Sequence, residues 1–250
     1  KIYSFSEIIL KLLSNPSIAS KSWVYRQYDY QVQSNTVFKP GEADAALIRL
    51  RRQDEKNKNF EFSGVAASVD CNSRWVLLDP YRGSIAAVAE SARNVSCVGA
   101  EPIAITNNLN FSSPETEIGY WQLSSACDGI SEACIVLETP VTGGNVSLYN
   151  ESKNNNNQVT PINPTPVIGM VGTIKNVNKA ISSGWKNLHD QIWIIGSNAS
   201  ESSIAASSYL EYFHDLVTGR PPEIHLQDEK YCQSFLRDLI SKNFIASSHD

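Results

Sequence analysis

The chain has 250 residues, of which 42% are hydrophobic and 19% are charged, and these values are typical of a globular protein. The net charge of −5 argues against a nucleic-acid partner, because no excess of Lys and Arg can neutralise a phosphate backbone. No apolar run is long enough to span a membrane, and the five cysteines form no C-x-x-C pair, so we expect buried, reduced thiols in a cytoplasmic protein. The first residue is Lys1, and we interpret the chain as part of a longer polypeptide.

Helical spacing over residues 4–14, ended by Asn15-Pro16, predicts an N-terminal helix. Short apolar alternation then predicts strands over 45–50, 64–69 and 75–78, with a polar hairpin loop at 51–59. The dipeptide Asp79-Pro80 predicts a turn.

Two amphipathic helices are predicted next, over 84–99 and over 120–137, with an end before Ile135 as the alternative limit of the second. Small residues on the first helix would let it lie close to a sheet, and Glu101-Pro102 predicts its exit. Three charged residues on that helix could bind phosphate or metal, but ion pairs explain them better: Arg82, Glu90 and Arg93. The order strand, helix, strand, helix, strand indicates an α/β organisation.

The last hundred residues contain two strand-like segments and one helix. Residues 152–158 form a polar segment that predicts a loop tip, and 164–174 predict a core strand. A change of composition at 176–188 marks a boundary, followed by a predicted strand over 191–196 and a predicted helix over 229–242.

Residues 139–151, TPVTGGNVSLYNE, carry the clearest chemical signal. The pair Gly143-Gly144 lets main-chain N–H groups approach an anion, and Asn145 and Ser147 add a carbonyl oxygen and a hydroxyl. These features are typical of phosphate and metal sites. From this segment alone, a Gly-Gly hairpin turn ahead of a strand is an equally good interpretation.

The segment LLDPYRGSIAAVAESARNVSCVGAEPIAITNNLNF at 77–111 resembles the second half of the small form of phosphoribosylformylglycinamidine synthase. The segments SNPSIASKSWVYRQYDYQVQSNTVFKPG, GYWQLSSACDGISEAC, PTPVIGMVGTI and HDLVTGRPP do so as well, in the same order over nearly the whole chain. The resemblance implies a mixed α/β (α+β) fold of the PurM type. Residues 1–34 would be a helical linker, 35–176 an N-terminal-type domain whose sheet pairs with another into a barrel, and 177–250 the start of an α/β-sandwich companion domain.

The same resemblance implies an ATP-dependent C–N ligase of purine biosynthesis. Its reaction converts formylglycinamide ribonucleotide, ATP and glutamine-derived ammonia into formylglycinamidine ribonucleotide, ADP and phosphate. The implied cofactors are ATP and Mg²⁺, and the implied partners are the glutaminase subunit PurQ and the small subunit PurS. We expect the isolated chain to be inactive, and to form a homodimer through the sheet that the other half would otherwise cover.

Residue by residue, Gly144 matches a position that contacts ATP, Asn145 one that binds Mg²⁺ and Ser147 one that contacts the ribonucleotide. Asn107 stands where the family usually has an ATP-contacting aspartate, and an amide can hydrogen-bond a nucleotide but supplies no carboxylate. The catalytic histidines of the family lie in its other half, so no catalytic residue is assigned here. The four histidines of this chain are interpreted as structural or surface residues: His189, His214, His225 and His249.

An alternative interpretation is a noncatalytic half that pairs in the barrel and can hold a structural nucleotide. Asn107 favours this alternative, whereas Asn145 and Ser147 favour a contribution to the ligase site. A related kinase, such as thiamine-monophosphate kinase, is disfavoured because the string GNVSLYNE is not expected there.

Overall fold

The computed structural model describes residues 3–51, 62–153, 155, 158–196 and 204–250. In that part of the chain the α-helices are Phe5–Leu13 (α1), Ser22–Tyr25 (α2), Ser73–Leu78 (α3), Pro80–Cys97 (α4), Glu117–Leu137 (α5), Ser208–His214 (α6) and Leu226–Ser241 (α7). The strands are Ala46–Arg49 (β1), Gly64–Asp70 (β2), Glu101–Asn110 (β3), Val141–Ser147 (β4), Glu151–Lys153 (β5), Val159–Pro161 (β6) and Thr165–Ile174 (β7). Short 3₁₀ turns lie at Val32–Ser34 and Val177–Lys179.

Five of these strands form one open sheet in the order β1-β2-β7-β3-β4, and β5 and β6 form a separate hairpin. All pairs in the large sheet are antiparallel except β3 and β4. Those two strands are parallel because α5 connects them, as a crossover helix does in a βαβ unit. The predicted order of strands and helices is therefore confirmed from β2 to β4, and the architecture is mixed α/β.

The helices α4 and α5 cover one face of the sheet and bury the main core. Ile105, Ile168 and Met170 from the sheet meet Val88 and Val95 from α4, and all five side chains are fully buried. Burial of each such side chain contributes about 1.5–3 kcal/mol. The predicted close approach of α4 to the sheet is confirmed, because a Cβ at Gly172 would lie only 2.4 Å from Val95 Cγ1.

The region before α4 differs from the prediction. Residues 75–78, expected as a strand, belong to α3, whose N-cap Asn72 accepts a hydrogen bond from the backbone N–H of Trp75. Asp79-Pro80, expected as a turn, begins α4: Asp79 caps the helix by accepting from Arg82 N at 3.0 Å, and Pro80 occupies its first turn. Proline suits that position because it needs no N–H partner there.

Three further boundaries were predicted differently. Glu101 and Pro102 are the first residues of β3 and not a helix exit, because α4 has already ended at Cys97. Helix α5 continues to Leu137 instead of ending before Ile135, and it ends at Glu138 in the left-handed conformation. Part of the polar segment at 152–158 pairs in the β5–β6 hairpin, and most of the predicted loop at 51–59 lies outside the described residues.

The strand predicted over 191–196 is absent: these residues have no regular secondary structure, and Ile194 is 91% exposed. A strand needs a neighbour for its backbone N–H and C=O groups, and no other strand of the described chain reaches this segment. The predicted helix over 229–242 is confirmed by α7. It packs on α4 through Leu236, Ile240 and Cys97.

Helices α1 and α2 and the 3₁₀ turn at Val32–Ser34 make up about half of residues 3–34, and most apolar side chains of α1 are exposed. Tyr3 at the beginning of this segment contacts the ring of Phe213 in α6. Among the described helices, none is both long and apolar enough to cross a bilayer.

Candidate functional site on strands β3 and β4

The neighbouring strands β3 and β4 hold all four residues that the sequence marks as site candidates. Asn107 lies opposite Gly144, Asn108 opposite Asn145 and Asn110 opposite Ser147. Gly143 and Gly144 are therefore inside a strand, and the Gly-Gly hairpin interpretation is wrong. Neither glycine has a positive φ, so no turn requires them.

The pleat of the two strands separates these residues into two pairs. Asn107 and Gly144 lie on the face that the helices cover, together with the buried side chains of Ile105 and Leu109. Asn145 and Ser147 lie on the opposite, open face. Sequence reasoning treated the segment as one turn, whereas the strand directs the two predicted ATP contacts and the two predicted metal and substrate ligands to opposite sides.

On the open face, one amide–amide hydrogen bond joins the two strands, and further bonds of asparagine side chains lie next to it. Asn145 Nδ2 donates to Asn108 Oδ1 at 3.2 Å, and Asn110 Nδ2 donates to the backbone oxygen of Asn108 at 3.0 Å. Asn150 Nδ2 donates to the backbone oxygen of Ser147 at 2.8 Å, and the Ser147 hydroxyl lies 3.2 Å from Asn150 Oδ1. Sequence reasoning missed Asn108, Asn110 and Asn150, although the string ITNNLNF places Asn108 and Asn110 two residues apart and therefore on one face.

On the helix side, Asn107 borders a cavity of about 480 Å³ between α5 and β4. Its other lining residues are mostly apolar: Cys127, Ile130, Ser131, Cys134, Ile135, Glu138, Pro140 and Val141. The described chain shows no hydrogen bond to the Asn107 carboxamide, which therefore remains free to bind a ligand.

The two glycines have different surroundings. A Cβ at Gly144 would lie 2.0 Å from Asn107 Oδ1 and 2.5 Å from the Asn107 backbone oxygen, so only glycine fits beside this asparagine. A Cβ at Gly143 would meet nothing within 4 Å. The space beside Gly144 is thus already filled by the protein, and Gly143 is the glycine with open space beside it.

The site offers one side-chain oxygen that is suited to bind Mg²⁺. No group of three or more His, Cys, Asp or Glu residues in the described ranges could hold a metal ion. Asn145 Oδ1, however, is an exposed carbonyl oxygen that accepts no hydrogen bond from the described chain. Mg²⁺ prefers oxygen ligands and keeps several waters, so one amide oxygen is a suitable protein contribution to its coordination.

A cluster of titratable residues lies at the end of β2, next to α4. Burial raises the pKa of Asp70 although Asn94 Nδ2 donates to Asp70 Oδ1 at 3.1 Å. Burial also raises the pKa of Glu90, and the neighbouring carboxylates of Asp70 and Asp250 raise it further. The cluster therefore holds acids that resist ionisation, and it lies apart from β4.

The cysteines show no sign of nucleophilic activation. All five are free thiols. Burial raises the pKa of Cys71 and of Cys97 to about 12 and that of Cys134 to about 11, so these groups stay protonated at neutral pH. The expectation of buried thiols is correct for Cys97 and Cys134, whereas Cys127 is exposed.

The arginines of α4 bind other parts of the chain. Arg82 pairs with Glu223 at 2.9 Å, and Arg93 pairs with Glu229 of α7 at 2.8 Å. The structural interpretation of these arginines is confirmed. Most of their partners lie on later segments, and the exception is Asp79, the N-cap of α4, which pairs with Arg82 at 3.6 Å.

The chain belongs to the family described as AIR synthase related protein, N-terminal domain, which its residues 42–174 match. More particularly, it is similar to phosphoribosylformylglycinamidine synthase subunit PurL. It is 94% identical to that subunit from Prochlorococcus marinus subsp. pastoris over 248 residues, which are 99% of this chain and 32% of the relative. The chain thus spans about a third of the length of this relative.

Solved structures of PurL from Thermotoga maritima are similar as well. The FGAR complex aligns with 92% of this chain and 31% of its own, at 28% identity and a TM-score of 0.60. The ATP complex aligns with 65% of this chain and 24% of its own, at 34% identity and a TM-score of 0.53. The structure of PurLQS gives the same identity and TM-score, covering 65% of this chain and 25% of its own.

Proposed function

We propose that this chain contributes one wall of the active site of an ATP-dependent C–N ligase, phosphoribosylformylglycinamidine synthase. The observation that carries the proposal is the pair Asn145 and Ser147, which lie on the open face of the sheet in a chain 94% identical to PurL. The substrates would be formylglycinamide ribonucleotide, ATP and ammonia, because solved PurL structures of T. maritima are complexes with FGAR and with ATP.

Such a reaction activates an amide oxygen by phosphoryl transfer, after which ammonia attacks the activated carbon. Catalysis of this type depends on positioning and on neutralising charge, and Mg²⁺ supplies the neutralising charge on the phosphates. In this chain Asn145 would bind Mg²⁺ and the Ser147 hydroxyl would bind the ribonucleotide. Asn107 and Gly144 remain the proposed ATP contacts, and the cavity that Asn107 borders supports the asparagine more than the glycine.

Substitutions on β4 test this proposal in the complete enzyme. We expect Asn145→Ala and Ser147→Ala each to reduce turnover by about 10²-fold to 10³-fold, as the loss of one transition-state contact does. Val146→Ala is the matched control, because Val146 lies between them, exposed and on the other face. Wild-type turnover and unchanged Mg²⁺ dependence in both Asn145→Ala and Ser147→Ala would refute the assignment.

The alternative is a noncatalytic half that holds a structural nucleotide. It is supported by Asn107, which replaces a carboxylate and borders a mostly apolar cavity. Native mass spectrometry of the complete enzyme distinguishes the two: a nucleotide that stays bound through purification and turnover, and is lost in Asn107→Leu, supports the alternative.

The apolar residues on the open face of the sheet support our proposal that a second sheet packs against it. Ile48 and Val69 are exposed there, Val69 by 71%, and Val65, Val167 and Val171 are half-buried on the same face. An uncovered apolar face favours association, and a twofold homodimer that completes a barrel is the simplest closed arrangement for the isolated chain. Sedimentation equilibrium should then give twice 27.6 kDa. A monomer at high micromolar concentration would contradict the pairing of the sheets.

In the complete assembly the other half of the polypeptide would cover the open face instead of a second copy of this chain. PurQ would supply ammonia and PurS would be the small subunit. The assembly would lie in the cytoplasm. The PurLQS structure of T. maritima supports such an assembly. The proposed domain limits remain 1–34, 35–176 and 177–250, and limited proteolysis that cuts near 34 and 176 would support them.

A further inference from the structure

A carboxamide can present either of two chemically different ends to a ligand. Its oxygen accepts hydrogen bonds and binds cations, whereas its NH₂ group donates and repels them. An asparagine that binds a metal must therefore be held with the oxygen towards the ligand, or part of the binding energy is lost in orienting it. Asn145 is exposed in this chain, so packing within the chain does not fix its orientation.

The structure offers one group that fixes it. Asn145 Nδ2 donates to Asn108 Oδ1 across the β3–β4 pair at 3.2 Å, and this bond leaves Asn145 Oδ1 free on the open face. Asn108 itself lies on β3, a strand that pairs on both sides, with β7 and with β4. Its backbone oxygen also accepts from Asn110 Nδ2 at 3.0 Å. The acceptor for Asn145 thus belongs to the interior of the sheet, where the backbone is well fixed.

We propose that Asn108 is a positioning residue that holds the Asn145 carboxamide with its oxygen towards Mg²⁺. The inference rests on the proposed function, in which Asn145 binds that ion. If both amides were rotated instead, Asn108 Nδ2 would donate to Asn145 Oδ1 and occupy the oxygen that the metal needs. The two arrangements predict opposite results when position 108 can form no side-chain hydrogen bond. Mg²⁺ binding weakens in the observed arrangement, because Asn145 loses its acceptor, and strengthens in the rotated one, because Asn145 Oδ1 is released.

The test measures Mg²⁺ affinity in the complete enzyme without substrate or nucleotide, by competition with Mn²⁺ followed by electron paramagnetic resonance. Asn108→Leu removes the acceptor at similar size, and we expect affinity about 3-fold to 10-fold weaker, the range for one net hydrogen bond. Asn108→Asp keeps an acceptor that cannot donate and should bind Mg²⁺ at least as tightly as the wild type.

The added charge of Asn108→Asp needs its own control. Thr106 lies on the same face two residues earlier, opposite Gly143. The double variant Asn108→Leu/Thr106→Asp therefore adds a carboxylate nearby without an acceptor at position 108. We expect it to bind Mg²⁺ more weakly than Asn108→Asp. Equal affinity of the two would show that charge alone acts, and would overturn the positioning role.

Asn145→Ala separates this inference from the proposed function. If Asn145→Ala weakens Mg²⁺ binding but Asn108→Leu does not, the positioning role is wrong and the metal assignment stands. If Asn145→Ala leaves Mg²⁺ binding unchanged, both are wrong. A folded Asn108→Leu with weakened Mg²⁺ binding, restored by Asn108→Asp, is the result that supports the inference.

Discussion

The two parts of this chain, residues 42–174 and residues 177–250, differ in how far the apolar side chains of their strand-like segments are buried. In the first part the strand residues Ile105, Ile168 and Met170, which face the helices, have no exposed surface. In the second, the strand-like segment at 191–196 is open to solvent, and Trp185, Trp193 and Ile194 are each more than three-quarters exposed. The first part contains a sheet together with the helices that cover one face of it, and the second contains helices but no sheet in the described residues.

This difference shows what a strand-like sequence requires. The segment at 191–196 has the composition of a strand, but a strand becomes stable only when neighbours satisfy its backbone and cover its side chains. The chain spans about a third of the length of its PurL relative, and the described residues after 177 hold no strand that could pair with this segment.

The largest expected effect on stability comes from an isoleucine-to-alanine substitution, which we compare between the two parts. Ile168→Ala should lower the free energy of unfolding of the chain by about 2–5 kcal/mol, because it leaves a cavity in a closed core. Ile194→Ala should change it by less than about 0.5 kcal/mol, as an exposed substitution does. Urea denaturation measures both. Equal losses would show that the segment at 191–196 is covered in solution.

A smaller effect separates the two glycines of β4. Gly144→Ala should destabilise the protein by about 1–3 kcal/mol, the usual cost of overpacking, because its Cβ overlaps Asn107. Gly143→Ala is the matched control, with open space beside it, and should be neutral within about 0.5 kcal/mol. Thermal melts of the two variants give the comparison, and a larger loss for Gly143→Ala would contradict the β3–β4 register.

The smallest effect concerns the carboxylates beside α4. The folded-state pKa values of Asp70 and Glu90 are raised, so both acids stabilise the fold while protonated, below their unfolded pKa near 4. That contribution is lost as the pH rises through the raised values. Glu90→Gln should therefore have a slightly higher free energy of unfolding than the wild type at pH 7, by less than about 1 kcal/mol. Its stability should also decline less between pH 4 and pH 7. Thermal melts at both pH values measure the difference.

Glu7 is the control, because its pKa is shifted in the opposite direction to that of Glu90. Hydrogen bonds from Ser4 lower its pKa, so its contribution is present above the unfolded pKa and is lost as the pH falls. Glu7→Gln should not raise the melting temperature at pH 7. If Glu90→Gln melts lower than the wild type at that pH, Glu90 makes a favourable ionic contact that outweighs its burial.

Most of the fold could be predicted from the sequence because periodicity reports which face of an element is buried. That is why α4, α5, α7 and β7 were found close to their observed limits. Residues 75–78 were assigned to a strand because four apolar-rich residues do not distinguish the two periods, and the cap Asn72 decides for a helix. The site residues were predicted from resemblance. Their separation onto two faces, and the partner Asn108, depend on the β3–β4 register, which no local pattern reveals.

In the function we propose, this chain forms one wall of a ligase site that other parts of the polypeptide complete. Ammonia-dependent formation of formylglycinamidine ribonucleotide, measured with ATP, Mg²⁺ and the formyl substrate, tests it most directly. We expect no product from the 250-residue chain alone, and turnover from the complete polypeptide that Asn145→Ala reduces by about 10²-fold or more. Product formed by the isolated chain, dependent on ATP and substrate, would contradict it.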